Sequence, residues 1–114
     1  MRLIIITLLF PIFSFGQSYD ILFIGNSYTY YNNLPEMLSN IANAFGDSVN
    51  YDQSTPGGSS LYAHSQNQTT LNKINQQSWD YVVLQDQSQR PSLSPTYVAA
   101  SVYPYASQLV TEIQ

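Results

Sequence analysis

The sequence predicts an α/β fold in which a parallel sheet carries helices on both faces. Two apolar runs, "DILFI" at 20–24 and "YVVL" at 81–84, show no polar alternation, as expected of strands covered on both sides. Other segments repeat their apolar residues at helical spacing. The two kinds alternate as β-α-β-α-β-α, an order that calls for right-handed crossovers between parallel strands.

The chain begins with Met1 and Arg2, followed by "LIIITLLFPIFSFG". A short basic start, an apolar run and small residues before Gln17 have the form of a secretory signal peptide, residues 1–16, cleaved after Gly16. Thr7 and Pro11 interrupt the run, which falls short of the roughly 18–20 residues of a spanning helix. The expectation is a secreted or periplasmic protein without a stable membrane anchor, its domain beginning at residue 17. The sequence has no cysteine, which excludes both a disulfide framework and a lipid-bearing cysteine.

From Tyr19 the first strand runs through Ile24. "NNLPEMLSNIANAFG" follows, with Leu34, Met37, Leu38, Ile41, Ala42 and Phe45 on one stripe, Asn32 or Asn33 as cap and Gly46 as stop. That spacing predicts a helix with one buried face. "SVNYDQS" reads as a second strand and "TPGGSS" as a turn. "LYAHSQNQTTLNKINQQ" reads as one polar helix, with Leu61, His64, Leu71 and Ile74 loosely in phase. After the third strand and the "RPSLSP" loop, "TYVAASVYPYASQLVTEIQ" is helical in Val98, Val102, Ala106, Leu109, Val110 and Ile113, with a kink expected at Pro104.

In open parallel sheets, ligands lie outside the carboxyl ends of the strands. Gly25 to Ser27, Pro56 to Ser60 and Gln85 to Arg90 all share that position. Charged residues are 9% of the chain and the net charge is −4, so no basic stripe is available for phosphates and nucleic acid is not an expected partner. Ten tyrosines amid many amides give a polar, uncharged surface whose flat rings can stack on sugars or simply pack. No acidic, histidine or cysteine cluster has metal-ligand spacing, and no phosphate loop or dinucleotide fingerprint occurs, so no metal or cofactor is expected. Asn67-Gln68-Thr69 fits the glycosylation tripeptide, a weak signal.

A serine at a strand-to-helix turn is exposed and held, two of the three conditions for a nucleophile; the third is a base within reach. Ser27 therefore has two readings, an attacking group or the cap of a helical turn. The α/β-hydrolase elbow does not apply, because its second glycine is Thr29 here. "FIGNSYT" resembles the first block of the SGNH/GDSL hydrolase superfamily, whose serine is the nucleophile. "GGSS" at 57–60 is similar to the second block, and "WDYVVLQDQSQRP" to the third. The resemblance spans roughly residues 19–110 and is nearest to an SGNH-like branch of secreted bacterial proteins known as a domain of unknown function.

The resemblance implies a flavodoxin-like three-layer α/β/α fold, here about three β-α units forming the N-terminal part of such a domain. It implies a serine esterase acting on a small-molecule or carbohydrate ester, with Ser27 catalytic. The oxyanion would be held by the N–H groups of Ser27 and Gly58 and a side-chain amide, Gln87 in preference to Gln85 or Gln89. Asn26 and His64 would be substrate contacts. The chain departs from the family in lacking Gly-x-Asn after the third strand, and in lacking the Asp-x-x-His that supplies the base, expected beyond residue 114. His64 stands on the second crossover, with three readings: base, cleft-lining residue or ordinary helix histidine. Asp20 and Asp80 read as caps at the far edge of the sheet, Asp86 as a solvated loop carboxylate or substrate contact. The other reading of the whole is a non-catalytic carbohydrate-binding or surface protein that keeps the fold.

Overall fold

A computed structural model describes residues 15–114, so nearly all of the proposed signal segment lies outside the described residues. Three parallel strands, β1 (Ser18–Ile24), β2 (Ser48–Ser54) and β3 (Tyr81–Leu84), form an open sheet in the order β2-β1-β3. The central strand is the most apolar one. Ile21, Leu22, Phe23 and Ile24 are all buried, which explains why this stretch shows no alternation: both of its faces are covered. This is the α/β architecture expected, a flavodoxin-like arrangement of three β-α units.

The helices are α1 (Ser27–Tyr30), α2 (Leu34–Ala44), α3 (Leu61–Ser65), α4 (Gln68–Ile74), α5 (Pro95–Ser101) and α6 (Tyr103–Ile113), with a 3-10 turn at Arg90–Ser92. With β1 in the centre, right-handed crossovers to β2 and then to β3 place α2 on one face and α3 and α4 on the other. The core lies on that second face, where Leu22 and Ile24 pack with Leu61, Ile74, Val102 and Leu109. No helix among the described residues is long and apolar enough to cross a membrane.

Three sequence expectations are corrected. The stretch expected to be one polar helix is two, because Asn67 leaves helical geometry and its Oδ1 caps α4 through the N–H groups of Thr69 and Thr70. The C-terminal helix is likewise broken: Val102 (φ −117°, ψ −58°) separates α5 from α6, and Pro104 stands in the first turn of α6, where it lacks no bond it would otherwise make. The expected kink is a boundary between two helices. The apolar stripe of α2 is only partly covered: Leu38 and Ala42 are half-buried, while Ile41 is 55% and Phe45 84% exposed. The helix packs on β2 with the side that carries Pro35, Leu38, Ser39 and Ala42, and the Ser39 hydroxyl donates to the Val49 carbonyl. Asn33 precedes α2 in the left-handed region (φ 52°) and bonds Glu36 by its side chain, while Gly46 (φ 89°) ends the helix.

Candidate functional site

The three loops expected to converge do so, and one buried side chain joins them. Asn26 follows directly on β1 and is 2% exposed. Its Oδ1 accepts from the Tyr28 N–H (3.1 Å), while its Nδ2 donates to the carbonyls of Ser59 (2.9 Å) and Asp86 (3.3 Å). A single amide thus caps α1 and ties it to the loops that follow β2 and β3. An amide suits this position because it offers an acceptor and two donors at once. Its side chain is fully used inside the protein, so Asn26 organises the site and presents nothing to a substrate.

This removes one reading of Ser27. The cap of α1 is Asn26, and Ser27 is the first helical residue. Its hydroxyl is half-buried and has no hydrogen-bond partner among the described residues, and it borders an open cavity of about 250 Å³ with Tyr28, Tyr31 and Asn32. The Ser27 N–H is also without a partner there, as is that of Gly58. Gly58 has φ 70° and would meet nothing within 4 Å if it carried a Cβ, so it owes its identity to backbone angle and not to crowding.

Gln85, Gln87 and Gln89 separate clearly. Gln85 lies beneath the Ser27 turn: its Oε1 accepts from the Asn26 N–H (3.0 Å) and the Thr29 hydroxyl (3.0 Å), and its Nε2 bonds the Asp86 carbonyl. It is committed to holding the turn. Gln87 uses Oε1 to accept from the Gln89 N–H (3.0 Å), and its Nε2 has only a long contact of 3.4 Å to Ser88 Oγ. That leaves the Gln87 amide N–H groups available for another acceptor. Gln89 is exposed.

His64 is completely buried, 0% exposed, and both ring nitrogens are engaged: Nε2 with the Gly25 carbonyl (2.7 Å) and Nδ1 with Thr70 Oγ1 (2.9 Å). The Thr70 hydroxyl is in turn 2.8 Å from Ser54 Oγ. Burial holds the imidazole pKa below its ordinary value, against the opposing pull of the Gly25 bond and the Asp86 charge. Neither the base nor the cleft-lining reading fits a ring so enclosed. His64 is a structural histidine whose chain of hydrogen bonds joins the ends of β1 and β2 through α3 and α4.

Asp86 is buried as well, where a solvated loop residue was one expectation. Its Oδ1 accepts from the Leu61 N–H (2.9 Å) at the start of α3 and from the Gln87 N–H (2.7 Å), and Oδ2 is buried without a partner. Sequence reasoning missed this brace, since nothing local marks it. At the opposite edge of the sheet Asp80 Oδ2 accepts from the Asp20 N–H (2.7 Å). Asp20 is itself part of β1 and accepts from Asn50 Nδ2 (3.1 Å), so this pair pins the strand starts together. No group of acidic, histidine or cysteine side chains among the described residues could hold a metal ion.

The fold and site define an α/β protein whose strand ends gather around an unpartnered serine beside exposed tyrosines. No protein-family model, curated protein or solved structure matches the chain.

Proposed function

We propose that this chain carries the nucleophile and oxyanion-binding part of a secreted or periplasmic SGNH-type serine esterase, acting on an acetyl ester of a carbohydrate or another small molecule. One observation carries the reading: Ser27, placed by the sequence at the mouth of the sheet, has a free hydroxyl bordering a cavity on a turn held by Asn26 and Gln85. A rigid, accessible hydroxyl has the geometry that acyl transfer demands.

In this reading Ser27 Oγ attacks the acyl carbon, and its proton passes to a base. The carbonyl π electrons move to oxygen, which the Ser27 and Gly58 N–H groups and the Gln87 amide stabilise as an oxyanion. Collapse expels the alcohol, which takes up the proton, and water then releases the acyl group from Ser27. His64 cannot be the base, because both of its nitrogens are spent internally. The reading therefore leaves the base to a group other than His64.

A second reading, a non-catalytic carbohydrate-binding protein, is favoured by the exposed rings of Tyr28 and Tyr31 beside the same cavity. Fluorophosphonate labelling of the complete gene product decides between them. Labelling at Ser27 that disappears in Ser27→Ala, together with loss of acetyl-ester hydrolysis, supports the esterase. A folded protein that neither labels nor hydrolyses supports the binding protein.

A further inference from the structure

We infer that Tyr28 and Tyr31 form a subsite for one neutral sugar ring at Ser27. The inference rests on the proposed esterase reading for the ester and deepens it by naming the residues that hold the alcohol part of the substrate. Tyr28 and Tyr31 are three positions apart on one helical turn, and both border the cavity that Ser27 opens into. They are 72% and 80% exposed. Neither ring packs against another aromatic residue among the described residues, and neither hydroxyl is hydrogen-bonded there. By contrast, Tyr62 meets Tyr105 and Tyr19 meets Tyr81.

The rings are exposed on a rigid base. The Tyr28 N–H is held by Asn26 Oδ1, the Tyr31 N–H by the Ser27 carbonyl at 2.8 Å, and the Asn33 N–H by the Tyr30 carbonyl at 2.8 Å. The backbone that carries the rings is already ordered, so binding has only their two-χ side chains to order. The walls fix the ligand's chemistry. Phenol rings offer flat apolar faces with polar tips, Asn32 adds an amide, and the lining contains no carboxylate, ammonium or guanidinium. A molecule with apolar C–H faces and hydroxyl edges matches this; a charged one gains nothing. The size agrees: about 250 Å³ is below the roughly 300–1,000 Å³ of pockets for drug-sized ligands, leaving room for a single ring.

The test uses the complete gene product with two substrates, methyl 6-O-acetyl-β-glucopyranoside and p-nitrophenyl acetate, and one non-reacting probe, methyl β-glucopyranoside. Tyr28→Ala and Tyr31→Ala should each lower the ratio of kcat/KM for the sugar ester over the aryl ester by about tenfold, chiefly through KM, as loss of one aromatic contact implies. Tyr28→Phe, which keeps the ring, should restore most of the ratio. Tyr103→Ala, an exposed tyrosine on α6, should leave the ratio unchanged. In NMR titration methyl β-glucopyranoside should shift the ring signals of Tyr28 and Tyr31, and this readout holds whether or not the protein turns over ester. Absent shifts, or a ratio unaffected by both alanine variants, overturn the subsite. Hydrolysis that survives Ser27→Ala overturns the esterase reading instead and leaves the titration to judge the subsite.

Discussion

The carbonyl oxygen of Gly25 lies 2.7 Å from Nε2 of His64, and this contact fixes where the imidazole carries its proton. A carbonyl can only accept, so Nε2 bears the hydrogen; in the neutral ring Nδ1 must then accept from the Thr70 hydroxyl, which accepts from Ser54. The hydrogen bonds run in one direction, from the end of β2 to the end of β1, two residues before Ser27.

The tautomer is directly observable. The imidazole nitrogen shifts of His64 should show a protonated Nε2 and a bare Nδ1 at pH 7. Because the folded pKa is lowered, the unfolded chain binds the proton more readily than the native one. The stabilisation is fully present above the unfolded value of about 6.5 and is lost as pH falls through it toward the lower folded pKa. Denaturant midpoints measured across that window should therefore drop on acidification, and His64→Gln should flatten this part of the profile. A profile identical to that of the parent would assign the acid sensitivity to another group.

Asn26→Ala should cost about 2–4 kcal/mol, since it strips partners from the Tyr28 N–H and from the carbonyls of Ser59 and Asp86. Asn26→Asp should be worse at neutral pH, because it keeps the acceptor but turns a carboxylate oxygen toward two carbonyl oxygens. It should regain stability on acidification, the opposite sign to His64, as the carboxyl becomes a donor with a raised pKa. Urea unfolding of both variants at two pH values checks the order and the sign.

Ser27→Ala should change stability by no more than about 0.5 kcal/mol, because the cap belongs to Asn26 and the serine hydroxyl has no partner to lose among the described residues. It should nevertheless abolish fluorophosphonate labelling. Gly58→Ala reverses the pattern: the left-handed φ of 70° costs about 1 kcal/mol for an L-residue, with no steric clash added. Labelling at Ser27 should slow in Gly58→Ala without vanishing. Thermal melts and labelling rates on the same two preparations provide the comparison.

Gly25→Ala should destabilise the turn by crowding it. A Cβ at Gly25 would collide with Thr29 Oγ1 and stand 2.7 Å from Gln85 Oε1, the two groups that hold the turn from below. The Thr29 and Gln85 side chains must move and strain or break their bond, and a loss of about 1–3 kcal/mol is expected from overpacking. Gln85→Ala in the same chain should recover part of it by opening space. A stable Gly25→Ala protein with an unchanged melting temperature would show that the turn is looser than its contacts imply.

Much of the fold is legible because strand and helix periods are local properties. "DILFI" announces a buried strand through its own residues, whereas "YVVL", expected to be covered on both sides, is an edge strand with Tyr81 and Val83 exposed; the alternation of elements leaves a parallel sheet with few other topologies. The meeting of three loops follows from that topology alone, since parallel strands end at the same edge. Periodicity says which face of a helix is apolar, but not whether anything stands against it. Of the α2 stripe, Leu38 and Ala42 are half-buried while Met37, Ile41 and Phe45 face outward, because α2 covers β2 with only one edge of that stripe.

The amino-acid sequence by itself determined the alternation of strands with helical segments, the parallel sheet and the position of Ser27 just after the first strand. Only the tertiary structure decided the duties of the polar residues around it: Asn26 as cap and tie, Gln85 beneath the turn, Asp86 at the start of α3, His64 sealed between two strand ends. The physical reason is that a side chain's role is set by its hydrogen-bond partner. Asn26 and Gln85 are 59 residues apart and His64 and Gly25 are 39 apart, separations across which local pattern carries no signal. The folded core alone brings those groups within 3 Å and removes the water that would otherwise satisfy them.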